Sequence, residues 1–262
     1  MSQKPDTPLL SIETVGAVAK ITLCRSAKRN ALSDDLVREL RLCFESLPDT
    51  VRAAVLLGDG PAFCAGLDLS EVRENNTTQA VFHSRMWHAA FEAIGFGRVP
   101  VVALLHGAVV GGGLELASAC HVRVAESSAF YALPEGSRGL FVGGGGSVRI
   151  ARLIGVARMT DLMLTGRVLD AAEGHAAGIS HYLVAPGEGL AKAMALAEKI
   201  AGNSPMTNYG VMHVLPRIAD QSIQDGLMTE ALMASVAASD PETRQRLAAF
   251  LDAKTNKVRQ TG

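Results

Sequence analysis

Apolar positions alternate through Val18, Ile21 and Leu23 around Gly16, so Val15 to Cys24 predicts a strand, a turn and a strand. Residues 2–8 read as a loose arm. A helical period follows. Ser33 is placed to cap it, and Asp34 and Asp35 fill the first turn, where the helix dipole favours acids. Leu36, Val37, Leu40, Cys43, Phe44 and Leu47 supply one stripe, and Pro48-Asp49 ends it. Arg52 to Gly58 is almost continuously apolar, the pattern of a strand covered on both faces. The run Gly58 to Gly66 is a turn-rich connection, and Ser70 to about Asn76 begins a polar helix or loop. Residues 77–97 are helical around Val81, Met86, Trp87, Phe91 and Ile94. Val99 to Leu105 is another apolar strand, Gly111 onward opens a helix, and His121 to Ala125 and Ala129 to Tyr131 are short strands. Strands alternating with helices predict an α/β fold.

From Val148 the texture changes. Helices are expected over 148–154, 157–164, 170–176, 188–201, 206–215, 221–238 and 241–253, interrupted by one short strand, His181 to Val184. The last third is therefore a helical region, a cap or an assembly surface, expected to pack on the first part as a subdomain. Met206, Met212 and Met233 read as packing residues rather than a methionine-rich groove.

Length and charge narrow the function classes. A chain of 262 residues is one large domain or two small ones, with ample core. Its 25 basic and 26 acidic residues balance to −1, giving no electrostatic case for nucleic acid or an anionic membrane. The N-terminal decapeptide has no apolar segment of a secretory signal. The longest apolar tract, Val99 to Gly113, falls short of the roughly 20 residues that cross a bilayer. Cys24, Cys43, Cys64 and Cys120 lack zinc-ligand spacing. They read as reduced, mostly buried thiols of a cytoplasmic protein, with a disulfide pair left open.

Glycine is abundant, 26 residues against about 18 from average usage. It clusters at Gly58/Gly60/Gly66, Gly107/Gly111/Gly112/Gly113 and Gly143 to Gly146. None forms a phosphate-binding loop, and the second cluster fits a dinucleotide fingerprint poorly. That cluster does join a strand to a helix start, where free N–H groups and the dipole stabilise negative charge. Such a place suits a developing oxyanion. Leu67, just after another strand, could supply a second donor. Taken alone, each cluster also reads as a tight turn.

Four stretches carry a resemblance. They are Arg25-Ser-Ala-Lys-Arg-Asn-Ala-Leu, Phe63-Cys-Ala-Gly-Leu-Asp-Leu, His106-Gly-Ala-Val-Val-Gly-Gly-Gly-Leu-Glu-Leu-Ala, and Leu133-Pro-Glu through Arg149-Ile. In this order and spacing the chain, from about Ile12 to Phe250, resembles the crotonase (enoyl-CoA hydratase/isomerase) superfamily, most like an enoyl-CoA hydratase. The resemblance implies a spiral of ββα units over residues 9–197 carrying the thioester site. A helical region, 198–262, would serve trimerisation and active-site capping. It implies an acyl-CoA substrate, no permanently bound cofactor, coenzyme A only as part of the substrate, no metal, and a homotrimer or homohexamer. The backbone N–H groups of Leu67 and Gly112 would hold the thioester oxygen. Glu115 and Glu135 would flank a water, Glu135 giving its proton to C2 and Glu115 orienting the water.

Around these, Arg25, Lys28 and Arg29 could face the coenzyme phosphates, with Lys254 and Lys257 as further candidates. Backbone atoms of residues 64–68, among them Cys64, Ala65 and Asp68, would contact its pantetheine or adenine. Asp68 also reads as a brace for the Leu67 loop, and His106, where the family carries asparagine, as a brace for the turn into Gly107. Met86, Trp87, Phe91 and Phe141 are candidate acyl-pocket walls, and Trp87 fits plain core packing equally. His83 and His88 border the same region. Phe141 and Val142 depart from the family's small residue and proline, which argues against a simple short-chain acyl substrate. Alternatives are an enoyl-CoA isomerase, an acyl-CoA hydrolase, an aromatic hydroxyacyl-CoA hydratase-lyase, and a non-catalytic acyl-CoA-binding or assembly protein. RNA binding lacks a basic stripe.

Overall fold

The structure is a computed structural model that describes residues 8–71 and 76–252. Most of the expected N-terminal arm, the middle of the 70–76 segment, and Lys254 and Lys257 lie outside the described residues. The chain divides into two compact units, Met1–Ala201 and Gly202–Gly262.

The first unit is built by strands feeding two sheets. β1 (Leu10–Val15) and β2 (Val18–Leu23) form an antiparallel hairpin around Gly16, whose φ of +59° lies where glycine is the easy choice. α1 (Asp34–Glu45) starts as expected, with Ser33 Oγ accepting from the Leu36 N–H at 3.2 Å. β3 (Ala53–Gly58), α2 (Thr77–Gly95), β4 (Val101–Leu105), β5 (Ala108–Val110), α3 (Gly112–Ala119), β6 (Val122–Glu126) and β7 (Phe130–Ala132) follow. Then come α4 (Gly146–Ile154), α5 (Val156–Thr165), β8 (Val168–Asp170), α6 (Ala171–Ala177), β9 (Tyr182–Val184) and α7 (Gly189–Ala201). The main sheet has the order β1-β2-β3-β4-β6-β9, parallel from β2 onward. A smaller sheet has the order β5-β7-β8. The β4-β5-α3 and β6-β7-α4 turns of the chain thus each send one strand to the large sheet and one to the small sheet before a helix.

The continuous apolar runs have the expected cause. In β3 and β4, Ala54, Leu56, Val101, Ala103 and Leu105 enter the larger core, with α1, α2 and α3. Their neighbours Ala53, Val55, Val102 and Leu104 face the other way, onto Ala193 and Ala197 of α7. Both faces are covered, so both alternate sets are apolar. Small residues at fourth-residue spacing let α7 lie close on the sheet. Two strands escape the sequence pattern, β5, which runs into the glycine cluster at Gly111, and β8, which leads directly into α6. β8 adds a strand to a region expected to hold one.

Described by itself, the second unit is helical: α8 (Pro205–Tyr209), a π-helical turn (Gly210–Val214), α9 (Leu215–Ile218), α10 (Ile223–Ser239) and α11 (Pro241–Asp252). The single helix expected over 206–215 is instead this α–π–α run. Pro216 is the reason: it has no N–H and its ring crowds the carbonyl four residues back, so the turn before it widens. Asp240 Oδ2 accepts from the Thr243 N–H at 3.0 Å and fixes the start of α11.

Two polar residues position the loop that follows β3. Asn30 is fully buried with φ +56°; its Nδ2 donates to the carbonyls of Asp59 and Ala62, both at 2.8 Å, and its Oδ1 accepts from the Arg25 N–H at 2.9 Å. This ties the 25–31 loop to the 59–62 loop. Leu32 then bridges the next segment: its N–H donates to the Gly66 carbonyl (2.7 Å) and its carbonyl accepts from the Asp68 N–H (2.9 Å). Asp68 is buried, paired with Arg25 at 2.8 Å, and accepts from the Ser70 hydroxyl at 2.6 Å. Burial alone would push its carboxyl up. The hydrogen bonds from Ser70 and Arg25 outweigh that and hold it at about 2. A folded value below the ordinary 3.8 stabilises the protein above about pH 4, and that stability fades as the pH falls toward 2. Asp68→Asn is therefore expected to lower unfolding free energy by about 2 kcal/mol at neutral pH. Urea melts at pH 7 and at pH 3 will test this, with the gap between the two proteins narrowing at the lower pH.

Candidate active site

A cavity of about 500 Å³ opens between four segments of the first unit. One wall is the Ala65–Leu67 loop, a second is the start of α3, and a third is the face of α2 carrying Ala80, His83, Ser84 and Trp87. The fourth is the connection from β7 to α4, with Glu135, Arg138, Phe141 and Gly144. The lining is mainly apolar. Leu69, Val81, Leu140 and Phe141 are exposed as well as lining, Phe141 at 71%. A large aromatic ring held in water around a cleft marks a surface that binds an apolar partner.

Two backbone amides face this space unspent. Leu32 takes its bonds from Gly66 and Asp68, the residues on either side of Leu67. In a parallel bridge the intervening residue points its N–H and C=O the other way. Gly112 is the first residue of α3, where an N–H has no partner within the helix. Among the described residues neither amide has a protein acceptor. The two segments lie against each other: a methyl group on Gly66 would stand 3.4 Å from the Gly112 nitrogen. Trp87 closes over the same point, its Cζ3 only 2.9 Å from where a Gly112 methyl would sit.

Two carboxyls line the cavity with opposite surroundings. Glu115, on α3, is 3% exposed, and its Oε1 accepts from the Gly144 and Gly146 N–H groups, both at 2.8 Å. Burial raises its pKa, while those amides and Arg149 pull toward the anion; burial wins. Glu135 follows Pro134, and its buried Oε2 has no hydrogen-bond partner among the described residues. Burial is the main cause that raises its pKa, and the charge of Glu115 adds to it. One carboxyl thus receives donors that suit an anion, and the other has an oxygen better served by a proton. Gly111 lies against Glu135 with φ +53°, and a side chain there would meet Glu135 Oε1 at 2.6 Å.

Of the residues expected at a site, the cavity gathers Leu67, Gly112, Glu115, Glu135, Ala65, Trp87 and Phe141. Met86 and Phe91 are not in its lining. Met86 packs against the core, and Phe91 is wholly buried behind Gly144, edge-on to Trp87 at 5.7 Å. They belong to the core rather than the pocket wall. Cys64 is also fully buried; its N–H and C=O are spent on Ala108 and Val110, and burial lifts its thiol to about 12. Asp68 and Arg25 are spent largely on each other, while Lys28 and Arg29 are exposed on the loop whose Arg29 carbonyl accepts from the Ala65 N–H at 2.9 Å. His106 sets Nε2 3.1 Å from the Gly60 carbonyl, beside the turn into Gly107. His83 lines the cavity and contacts Asp34 at 2.7 Å, whereas His88 is not in the lining. The grip of the Gly143–Gly146 run on Glu115 was not legible in the sequence, because glycine spacing records a flexible chain and not the acceptor it wraps. Among the described residues no cluster of histidine, cysteine and acid side chains could hold a metal.

The family model for enoyl-CoA hydratase/isomerase matches residues 13–260. A Rhizobium meliloti (strain 1021) protein named probable enoyl-CoA hydratase is 33% identical over 244 residues, covering 92% of this chain and 94% of its own length. The crystal structure of a candidate enoyl-CoA hydratase from Rhodopseudomonas palustris CGA009 is 56% identical with a TM-score of 0.92, covering 94% of this chain and 95% of that one. A Thermobifida fusca YX counterpart, solved in complex with acetoacetyl-CoA, is 26% identical with a TM-score of 0.80 over 87% of this chain and 94% of its own. The fold is accordingly the crotonase type of α/β fold, with a helical C-terminal region. By sequence and by structure alike, the chain belongs to the enoyl-CoA hydratase/isomerase family.

Proposed function

We propose that the protein is an enoyl-CoA hydratase, adding water across the 2,3 double bond of a 2-enoyl-CoA to give a 3-hydroxyacyl-CoA. The observation that carries this is the pair of unlike carboxyls beside two unspent amides in one apolar cavity. The acetoacetyl-CoA held by the Thermobifida relative supports a CoA thioester as the ligand.

The thioester oxygen accepts from the Leu67 and Gly112 N–H groups. As water adds at C3, the electrons of the double bond move toward that oxygen, and the two donors stabilise the enolate without reorganising. Losing one donor of this kind costs roughly 3–4 kcal/mol in other enzymes. Glu115, kept receptive to an anion by the Gly144 and Gly146 amides, orients the water and takes its proton as the C3–O bond forms. Glu135, with an oxygen that has no donor among the described residues, enters protonated and delivers that proton to C2. Protons exchanged with solvent return the pair to its starting state. Because the carboxyls are coupled, the two limbs of the pH profile belong to the pair. Hydration falls at low pH as Glu115 protonates and at high pH as Glu135 loses its proton, so the profile is a bell.

Lys28 and Arg29, on the loop bonded to Ala65, are the proposed partners of the coenzyme phosphates. The proposed assembly is a homotrimer or homohexamer, supported within the second unit by exposed Ile223, Leu227, Met228, Leu232 and Val236 on α10. An isomerase is the second reading, since the family includes both activities. It needs one acid to move a proton and no bound water, and the second carboxyl favours hydration.

Incubation with crotonyl-CoA and cinnamoyl-CoA is expected to consume the enoyl absorbance and yield a product heavier by one water. Glu115→Gln and Glu135→Gln should each reduce turnover about 100-fold or more. Hydration surviving in both variants, or a product of unchanged mass, overturns the assignment. Trp87 is the single tryptophan and borders Gly112, so its fluorescence reports the site directly. Titration with a non-reacting acyl-CoA should change the emission saturably, while free coenzyme A, lacking the acyl group, should change it far less.

A further inference from the structure

Arg149 was not among the candidates from sequence. It lies in α4, outside the cavity lining, yet it holds the segment that holds Glu115. Its Nη2 donates to the Gly144 carbonyl. The other side of the same residue, the Gly144 N–H, donates to Glu115 Oε1, as does Gly146 two residues on. The guanidinium also stands over the ring of Phe91, 5.7 Å from its centre, and packs so tightly on Gly145 that a methyl there would lie 2.6 Å from Nη2. Phe91 in turn abuts Gly144, where a methyl would meet its ring at 2.8 Å. Among the described residues no carboxylate is ion-paired to this guanidinium, so its charge is not cancelled at contact.

We propose that Arg149 is a positioning residue: it fixes the Gly144–Gly146 segment so that two amides converge on one oxygen of Glu115, and its charge holds that carboxyl as the anion. The surrounding charges leave it this task. Glu135, from the loop after β7, is itself held toward its neutral form, first by burial and then by the charge of Glu115. From α2, Glu92 shares the field of Arg149. His88, also on α2, is driven toward its neutral form first by burial and then by Arg85 and Arg149. Cys120, at the end of α3, is a buried thiol held up at about 12 and so stays neutral.

The role concerns a carboxyl that the hydratase reading makes catalytic, and rests on that reading for its kinetic arm only. The direct arm is an infrared titration of buried carboxyl groups in the ligand-free full chain, with Glu115→Gln identifying the Glu115 band. In Arg149→Met and in Arg149→Gln, Glu115 should protonate at a pH higher by about one, an approximately tenfold change in its ionisation ratio. Arg149→Lys, which keeps the charge, should titrate close to wild type. In turnover, the uncharged variants should lose about tenfold or more in kcat with KM changed less than about threefold, and the acidic limb of the profile should move up with the infrared band. A Glu115 band that titrates at the wild-type pH in either uncharged variant overturns the proposal. A shifted band in a protein that hydrates no enoyl thioester removes the hydratase reading and leaves Arg149 its role.

Discussion

A backbone N–H turned away from every protein acceptor is something a folding chain normally avoids. Among the described residues this chain presents two, on adjoining segments that line one cavity, and much of the first unit serves that end. The Leu67 amide is freed because Leu32 takes the bonds of both its neighbours. The Gly112 amide is freed because a helix begins there, after the sharp turn at Gly111. Each half requires distant support. The bridge through Leu32 is held by Asn30 and the Arg25–Asp68 pair, and the helix start is held by the Gly111 amide on the Ala132 carbonyl of the small sheet. The donors are thus a property of tertiary structure, and neither local segment could hold its geometry alone.

The carboxyl pair depends on the same packing. Glu115 leaves α3 one turn after Gly112, so the step that frees the amide also fixes where its carboxyl starts. The apolar cavity then raises both carboxyls, and what separates them is the supply of donors. Gly144 and Gly146 give theirs to Glu115 and, among the described residues, none reaches Glu135 Oε2. That difference in hydrogen bonding is what gives the pair two chemical roles in the proposed reaction.

Much of the fold could be read from residue patterns because burial leaves a period. The two-sided apolar runs of β3 and β4, the Ser33 cap and the stripe of α1 follow from which neighbours cover them. The short strands β5 and β8 have no sequence signal of their own: β5 runs into the glycine cluster at Gly111 and β8 runs directly into α6, and the π-helical turn before Pro216 has the pattern of plain helix. At the site, motif spacing pointed to Leu67, Gly112, Glu115 and Glu135, which do share one cavity. The side chains around them were harder. Trp87 and Phe91 sit four apart on one stripe of α2, and a stripe tells which way a residue faces but not how deep its turn is sunk. Trp87 meets the cavity and Phe91 meets the core. Arg25 looked available for phosphate, and only the fold brings Asp68, forty-three positions on, against it. Arg149 was hidden for a related reason: its partner is a carbonyl, which every residue carries.

The two donors at the cavity are main-chain atoms, and heredity acts on side chains. Drift at position 67 can therefore exchange one side chain for another without erasing the hydrogen it contributes, so the pair of donors in the proposed reaction is shielded from direct loss. The vulnerable letters are elsewhere, at glycines whose replacement would wedge the segments apart. A lineage built on such a frame can vary its acids and its apolar walls while keeping both amides, so that selection bears on the glycines that let the segments meet.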